Sequence, residues 1–192
     1  MPQDAPQIKL ERTKAAGAHV ITYDRYKEDR DAIASSVLAE KGGVMIPPYD
    51  YGPVIAGQGT AALEIVKQLK EAGDKPQFAI CCAGGGGLSA GLGLVFEKHF
   101  PRAKLYTSEP VGYDDLKRSL ESGSIQEADL SKKSVCDAVL TKSPGSLTFE
   151  ILKRTYQGGF SVTDDDALRA VAYAFSELKI TAEPGGAVAL AA

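Results

Sequence analysis

The sequence predicts an α/β fold built on a doubly wound parallel sheet. Segments with helical periodicity alternate with short apolar, β-rich segments along nearly the whole chain, and glycines repeatedly end the helical segments. Short apolar strands that are separated by helices pair in parallel, because each crossover helix returns the chain to the same end of the sheet. Helices then cover both faces of the sheet.

The first fifty residues predict two helices and two short strands. The clearest element is a helix over residues 7–16, because Asp4 and Pro6 precede it and Gly17 follows it. The other elements are a strand at 19–23, a helix at 24–41 and a strand at 44–46. The loop 47–53, PPYDYGP, predicts a boundary between two lobes.

The same alternation continues after that loop. Expected helices span residues 60–72, 88–99, 113–122, 147–156 and 164–179, and expected strands span 77–82, 104–109 and 160–162. Thr163 and Asp166 have the spacing of a capping box at the start of the last of these helices. The chain ends in EPGGAVALAA without a helix-ending signal, and its first helix lacks the strand that should feed it. We therefore expect the chain to be part of a longer protein.

The composition favours a soluble globular protein and excludes several other classes. Hydrophobic residues make up 44% and charged residues 24% of the 192 residues, and the net charge is −3 with scattered Lys and Arg, which argues against a nucleic-acid partner. No stretch approaches the ~20 apolar residues of a membrane helix, and the N-terminus lacks the features of a signal peptide, so we expect a cytoplasmic protein. Cys81, Cys82 and Cys136 lack metal-ligand spacing. We interpret Cys81 and Cys82 as small apolar residues of a buried strand.

Four consecutive glycines, Gly84, Gly85, Gly86 and Gly87, separate the apolar strand from a helical segment. Such a loop can turn successive amide groups toward one anion, and the positive end of the following helix points to the same place. The sequence therefore predicts a phosphate cradle, and a flexible linker is the alternative. Because no lysine follows the glycines, the loop does not match a Walker motif, and its spacing does not match the dinucleotide fingerprint.

Several long motifs in register resemble one known family. They are MPQDAPQIKLERTKAAGAHVITYDR, EDRDAIA, IPPYDYGPVIAGQGTAALEI, GGGGLSAG, TSEPVGYDDLKRSLESG, PGSLTFEI and ITAEPGGAVALAA. Their order and spacing are similar to those of the threonine dehydratase and serine racemase family of fold-type II, tryptophan synthase β-like, pyridoxal-phosphate enzymes. The resemblance implies that residues 1–52 are the remainder of a small substrate-binding domain and that residues 53–192 are part of a large cofactor-binding domain, truncated at both ends.

The resemblance also implies roles for individual residues. Cofactor binding falls to Gly84, Gly85, Gly86, Gly87, Leu88, Ala138 and Glu183. The four glycines and Leu88 match the family's phosphate loop, and Glu183 matches a glutamate close to the cofactor ring. Ala138 occupies a position beside the cofactor that is usually glycine, so its methyl group adds bulk there.

A divalent-cation site near the cofactor phosphate is also implied. Its ligands would be the Glu109 carboxylate, the Tyr113 carbonyl and the Asp115 carboxylate. Oxygen ligands of this kind suit Mg²⁺ or Ca²⁺. The alternative is that Asp114 and Asp115 only favour the positive end of the following helix. Sequence reasoning leaves both interpretations open.

The family's Schiff-base lysine is expected upstream of Met1, and the residue that contacts the pyridine nitrogen is expected downstream of Ala192. No lysine in this chain is therefore nominated as catalytic, and these 192 residues alone are expected to be inactive. The implied function of the complete protein is that of a threonine or serine dehydratase, an ammonia-lyase that acts on a β-hydroxy amino acid. Alternatives are a serine racemase, a 3-hydroxyaspartate dehydratase or a non-catalytic binding module. A homo-oligomer is expected.

Overall fold

The computed structural model describes all 192 residues, which divide into two compact units, Met1–Ile46 and Pro47–Ala192. The division lies at the start of the loop in which a boundary is predicted. The assignment of residues 1–52 and 53–192 to a substrate-binding and a cofactor-binding domain stays a prediction.

The first unit contains two helices, α1 (Gln7–Ala15) and α2 (Arg30–Lys41). Asp29 ends the irregular stretch before α2, because its side chain accepts hydrogen bonds from two amides of the first turn. The strands predicted at 19–23 and 44–46 are wrong. Residue Tyr23 forms only an isolated bridge with Pro2, and residues 44–46 form no strand at all. A strand needs a hydrogen-bonded neighbour along its length. Residues 21 and 23 are hydrogen-bonded to the first three residues, which is too short a pairing for a strand.

The second unit is built on a three-stranded parallel sheet with strand order β1-β2-β3. The strands are β1 (Phe78–Cys82), β2 (Lys104–Pro110) and β3 (Gly158–Val162). The helices are α3 (Gly52–Ala72), α4 (Gly87–His99), α5 (Asp115–Ser122), α6 (Ser146–Thr155), α7 (Asp164–Ser176) and α8 (Pro184–Ala191). A single 3₁₀ turn spans Asp137–Val139.

Hydrophobic clusters cover both faces of this sheet. Cys81 belongs to a cluster that includes Leu105, whereas the adjacent Cys82 packs against a second cluster that includes Val162 and Val188. Successive side chains of a strand point to opposite faces, so the two clusters lie on opposite sides of the sheet. The predicted doubly wound parallel sheet is confirmed.

Helix α3 begins at Gly52 and not at residue 60 as predicted, although it contains internal glycines that weaken the helical signal. Packing explains one of them. A Cβ atom added to Gly59 would lie 3.3 Å from the carbonyl oxygen of Gly91 in α4, and a Cβ added to Gly91 would lie 2.5 Å from the carbonyl oxygen of Ile55. The two backbones therefore approach closely, and this crossing fixes α4, whose first residue is the last of the four glycines.

No helix has the combination of length and apolar composition that crossing a membrane requires.

The predicted capping box at the start of α7 is confirmed, and its contribution to stability can be measured. The Thr163 hydroxyl accepts a hydrogen bond from the Asp166 amide at 3.2 Å, and the Asp166 carboxylate accepts one from the Thr163 amide at 3.0 Å. We expect Thr163→Ala to lower the free energy of unfolding of the full-length protein by about 1 kcal/mol, because a first-turn amide loses its acceptor. Chemical denaturation measures the change. Thr181→Ala, at an exposed position outside the helices, is the control, and equal losses in both variants would contradict the capping role.

Candidate functional site

The glycine loop joins the end of β1 to the start of α4. Gly86 is the N-cap residue of α4 and adopts a left-handed conformation, with φ of 92°, that only glycine tolerates without strain. Gly87 and Leu88 form the first turn of the helix, whose amide groups have no partner within the helix. The positive end of the helix and these free amides are the features that anion binding needs, and the phosphate cradle stays a prediction.

Carbonyl groups attach the loop to the rest of the protein. The Gly85 carbonyl oxygen accepts hydrogen bonds from the Thr148 hydroxyl at 2.7 Å and from the Gly145 amide at 3.2 Å. The Gly86 carbonyl oxygen accepts one from the Ala90 amide at 2.8 Å, inside α4. A peptide group holds its N–H and C=O in opposite directions. The Gly86 and Gly87 amides therefore point away from these anchoring donors.

Neighbouring side chains and backbone pack closely against the glycines of the loop. A Cβ added to Gly86 would lie 2.9 Å from Leu152 Cδ1, and one added to Gly84 would lie 3.1 Å from the Val139 carbonyl oxygen. At Gly85 the added atom would overlap the ring of Tyr49. A flexible linker would not be packed on several sides in this way. The packing therefore favours the phosphate cradle over the linker.

Two acidic residues are buried at the end of β2, next to the glycine loop in the parallel sheet. The side chain of Glu109 is fully buried, and its two oxygens accept hydrogen bonds from the Leu116 amide at 3.0 Å and the Lys117 amide at 2.8 Å. Glu109 therefore caps α5 from the neighbouring strand. Burial, and next the nearby Asp115 carboxylate, raise the pKa of Glu109 well above its usual range.

The Asp115 carboxylate is buried as well, and neither of its oxygens has a hydrogen-bond partner. Burial raises the pKa of Asp115 to about 7. A buried carboxylate without partners is costly in its charged form, so this position calls for a proton or a cation. Asp115 is also the first residue of α5, so it lies at the positive end of that helix, as the alternative interpretation requires. The Leu116 and Lys117 amides of the same turn are bound to Glu109.

Tyr113, the third residue of the implied cation site, is buried, and its hydroxyl donates to the Lys132 carbonyl oxygen at 3.2 Å. The structure contains no group of three or more His, Cys, Asp and Glu side chains that could hold a metal ion. A cation at Glu109 and Asp115 would therefore need carbonyl oxygens and water as its other ligands. The metal site stays a prediction.

The 3₁₀ turn brings two further predicted cofactor contacts toward the loop. Val139 lies against Gly84, and the neighbouring Ala138 lies against α8, where a Cβ added to Gly185 would be 3.0 Å from the Ala138 methyl carbon. Glu183 is the N-cap residue of α8 and is exposed. The glycine loop, Ala138 and the EPGG segment are thus neighbours in the fold although they are far apart in sequence.

Sequence reasoning assigned no role to three residues that hold this site together, namely Tyr49, Asp50 and Thr148. They lie in the segments IPPYDYGP and PGSLTFEI, whose match to the family was the only available signal. Nothing in their local pattern shows that the two segments meet at the glycine loop, because that contact spans more than ninety residues of sequence.

A parallel sheet covered on both faces, with a glycine loop between a strand and a helix, is the arrangement of an α/β protein that binds an anionic ligand. The family model described as "Pyridoxal-phosphate dependent enzyme" matches residues 1–192, and the chain belongs to this family.

Curated relatives agree with this assignment. The chain is 37% identical over 192 residues to a serine racemase of Schizosaccharomyces pombe, a match that covers 100% of this chain and 58% of the relative. It is 36% identical over 184 residues to an L-threo-3-hydroxyaspartate ammonia-lyase of Saccharomyces cerevisiae, covering 96% of this chain and 55% of the relative. An L-threonine ammonia-lyase of Thermotoga maritima is 29% identical over 192 residues, with 100% and 47% covered. The chain therefore spans about half the length of the curated relatives it matches.

A solved structure shows the same architecture. The crystal structure of a threonine deaminase from T.th. has a TM-score of 0.90 and 37% sequence identity, and the match covers 100% of this chain and 61% of that chain. The fold-type II arrangement that the sequence predicts is thereby confirmed.

Proposed function

We propose that the protein is a pyridoxal-phosphate-dependent ammonia-lyase that converts a β-hydroxy amino acid into a 2-oxo acid and ammonia. The observation that carries the proposal is the closely packed glycine loop, whose anchored Gly85 and Gly86 carbonyl groups leave the Gly86 and Gly87 amides pointing away from their anchoring donors. The ammonia-lyases among the relatives support the reaction class.

Different residues of this chain would contact the phosphate and the ring of the cofactor. The amides of the Gly84–Gly87 loop and of Leu88 would hold the phosphate, and the positive end of α4 would stabilise its charge. Ala138 and Glu183 would lie beside the ring, on the side where the 3₁₀ turn meets α8. Bound pyridoxal phosphate supplies a conjugated ring that withdraws electrons from the α-carbon of an amino acid. We propose no lysine of this chain as the catalytic base, in keeping with the resemblance.

A divalent cation, Mg²⁺ or Ca²⁺, forms the second part of the proposal. Glu109 and Asp115 would supply two carboxylates and Tyr113 a carbonyl oxygen. The support is the Asp115 carboxylate, which is buried without a hydrogen-bond partner at the end of the same sheet as the glycine loop.

The serine racemase relative of Schizosaccharomyces pombe favours racemisation of serine as a second candidate function. Both reactions remove the same proton from the α-carbon, so the glycine loop serves either one. L-threo-3-hydroxyaspartate is an alternative substrate for the lyase reaction. A homo-oligomer and a cytoplasmic location stay predictions.

The test uses the full-length protein loaded with pyridoxal phosphate. We expect 2-oxo acid and ammonia in equal amounts from L-threonine, L-serine or L-threo-3-hydroxyaspartate, with cofactor-stripped protein as the control. Chiral chromatography measures D-serine in the same reactions. D-serine without 2-oxo acid would assign the racemase instead, and neither product from protein that binds the cofactor would contradict both and favour a non-catalytic module.

A further inference from the structure

Tyr49 and Asp50 lie at the start of the second unit, directly after Pro47 and Pro48, and both pack on the glycine loop or on the helix that anchors it. Tyr49 covers the loop: a side chain at Gly85 would overlap its ring, and a Cβ added to Gly87 would lie 3.0 Å from the Tyr49 Cβ. Its hydroxyl donates to the Ser143 carbonyl oxygen at 3.4 Å. The Tyr49 ring therefore closes the side of the loop at Gly85 and Gly87.

Asp50 acts as a helix cap supplied from a distant part of the chain. One of its carboxylate oxygens accepts a hydrogen bond from the Thr148 amide at 3.0 Å, and the other accepts one from the Ser146 hydroxyl at 3.1 Å. Thr148 is the third residue of α6, whose amide is normally capped by the side chain of the N-cap residue. The N-cap residue here is Gly145, which has no side chain, and a Cβ there would overlap Asp50. Asp50 thus replaces the missing cap.

The capped turn of α6 holds the glycine loop in turn. The Thr148 hydroxyl and the Gly145 amide both donate to the Gly85 carbonyl oxygen. Because the peptide group is planar and trans, fixing this carbonyl toward α6 fixes the Gly86 N–H in the opposite direction. The orientation of an amide in the cradle therefore depends on Asp50 through two hydrogen-bonded steps.

We propose that Tyr49 and Asp50 are positioning residues for the cofactor phosphate: Asp50 orients the Gly85–Gly86 peptide through α6, and the Tyr49 ring prevents the loop from turning away. Neither residue needs to touch the cofactor. The inference deepens the proposed function and depends on its glycine cradle, but it does not depend on which amino acid is the substrate.

The test compares two ligands of the full-length protein from which the cofactor has been removed. Pyridoxal phosphate and pyridoxal share the ring and the aldehyde, and only the first carries the phosphate. We expect Asp50→Ala to weaken binding of pyridoxal phosphate by about ten- to a hundredfold, because hydrogen bonds to a charged group hold the anchoring turn. Binding of pyridoxal should change by less than about threefold, since no phosphate contact is lost. Spectrophotometric titration gives both dissociation constants.

Matched variants distinguish a role in positioning the loop from a general loss of stability. Asp50→Asn keeps an oxygen acceptor for the Thr148 amide and should recover most of the affinity. Tyr49→Phe keeps the ring and should resemble the wild type, whereas Tyr49→Ala should resemble Asp50→Ala. Asp165→Asn, an exposed acid in the first turn of α7, is the control for loss of charge.

Three results would overturn the proposal. They are unchanged affinity for pyridoxal phosphate in Asp50→Ala, equal weakening of both ligands, and no recovery in Asp50→Asn. Equal weakening together with a lower Tm of the cofactor-free protein would show that Asp50 only stabilises the fold. Failure of the proposed function is distinguishable, because these titrations contain no substrate: a protein without lyase activity can still show the phosphate-specific loss.

Discussion

Gly85→Val in the full-length protein is expected to weaken binding of pyridoxal phosphate by about ten- to a hundredfold, since overpacking costs on the order of 1–3 kcal/mol. The structure gives the reason. Any side chain at position 85 would overlap the ring of Tyr49, and the loop could relieve the overlap only by moving the carbonyl that Thr148 and Gly145 hold. The amides would then lose the orientation that we propose for holding the phosphate. Titration with the cofactor measures the effect.

The matched control for this substitution is Gly57→Ala. Gly57 lies inside α3, an added Cβ would meet nothing within 4 Å, and alanine favours the helix, so cofactor affinity should not change and stability should rise slightly. Thermal unfolding of both cofactor-free variants checks that Gly85→Val folds. Wild-type affinity in a folded Gly85→Val protein would mean that the glycines form a linker and that the cradle is wrongly assigned.

Asp115→Asn is expected to remove any stabilisation by Mg²⁺ and, at the same time, to stabilise the cation-free protein at pH 8. Burial raises the pKa of Asp115 from an ordinary value of 3.8 to about 7 in the folded protein. Its favourable contribution is therefore complete below about pH 4 and is lost as the pH rises through about 7. At pH 8 the charged form costs up to about 4 kcal/mol, whereas asparagine carries no charge at any pH.

Thermal unfolding of the full-length protein in chelator and in Mg²⁺, at pH 5 and pH 8, tests this expectation. Asp114→Asn is the control, because Asp114 is adjacent, accepts from Ser161 at 3.0 Å and pairs with Arg118, and is not a proposed ligand. We expect the control to keep the Mg²⁺ response. If the wild type shows no response to chelation followed by Mg²⁺, the cation assignment is wrong, and a gain in stability of Asp115→Asn at pH 8 would then report only the buried charge.

Much of the second unit could be predicted because its signals are local. The strands at 77–82 and 104–109 were recognised as short β-rich segments between helical ones, and the structure places β1 and β2 within one residue of those bounds. The position of the four glycines between β1 and α4 was also predictable, since an apolar strand precedes them and a helical segment follows. The capping box of α7 depends on two residues that are three apart, so sequence spacing was sufficient.

What could not be predicted depends on contacts between distant segments. Residues 19–23 have strand propensity, but propensity does not provide a partner strand, and the structure pairs this segment only at its end, through a bridge between Tyr23 and Pro2. The start of α3 was missed because Gly59 weakens a helix locally, whereas its close approach to Gly91 is visible only in three dimensions. The capping of α6 by Asp50 and of α5 by Glu109 was missed for the same reason, since helix-capping rules examine only adjacent residues.

The close crossing of α3 and α4 has a consequence for how the protein can be altered. Gly91 lies one helical turn, about 6 Å, beyond the first residue of α4, and the carbonyl of Ile55 leaves no space for even a methyl group there. A larger residue at position 91 would push α4 along its axis or away from α3, and the first turn of the helix, where we propose that the phosphate binds, would move with it. The accuracy of the cradle is therefore set partly by a contact outside the loop, so mutagenesis confined to the four glycines would overlook one of its determinants.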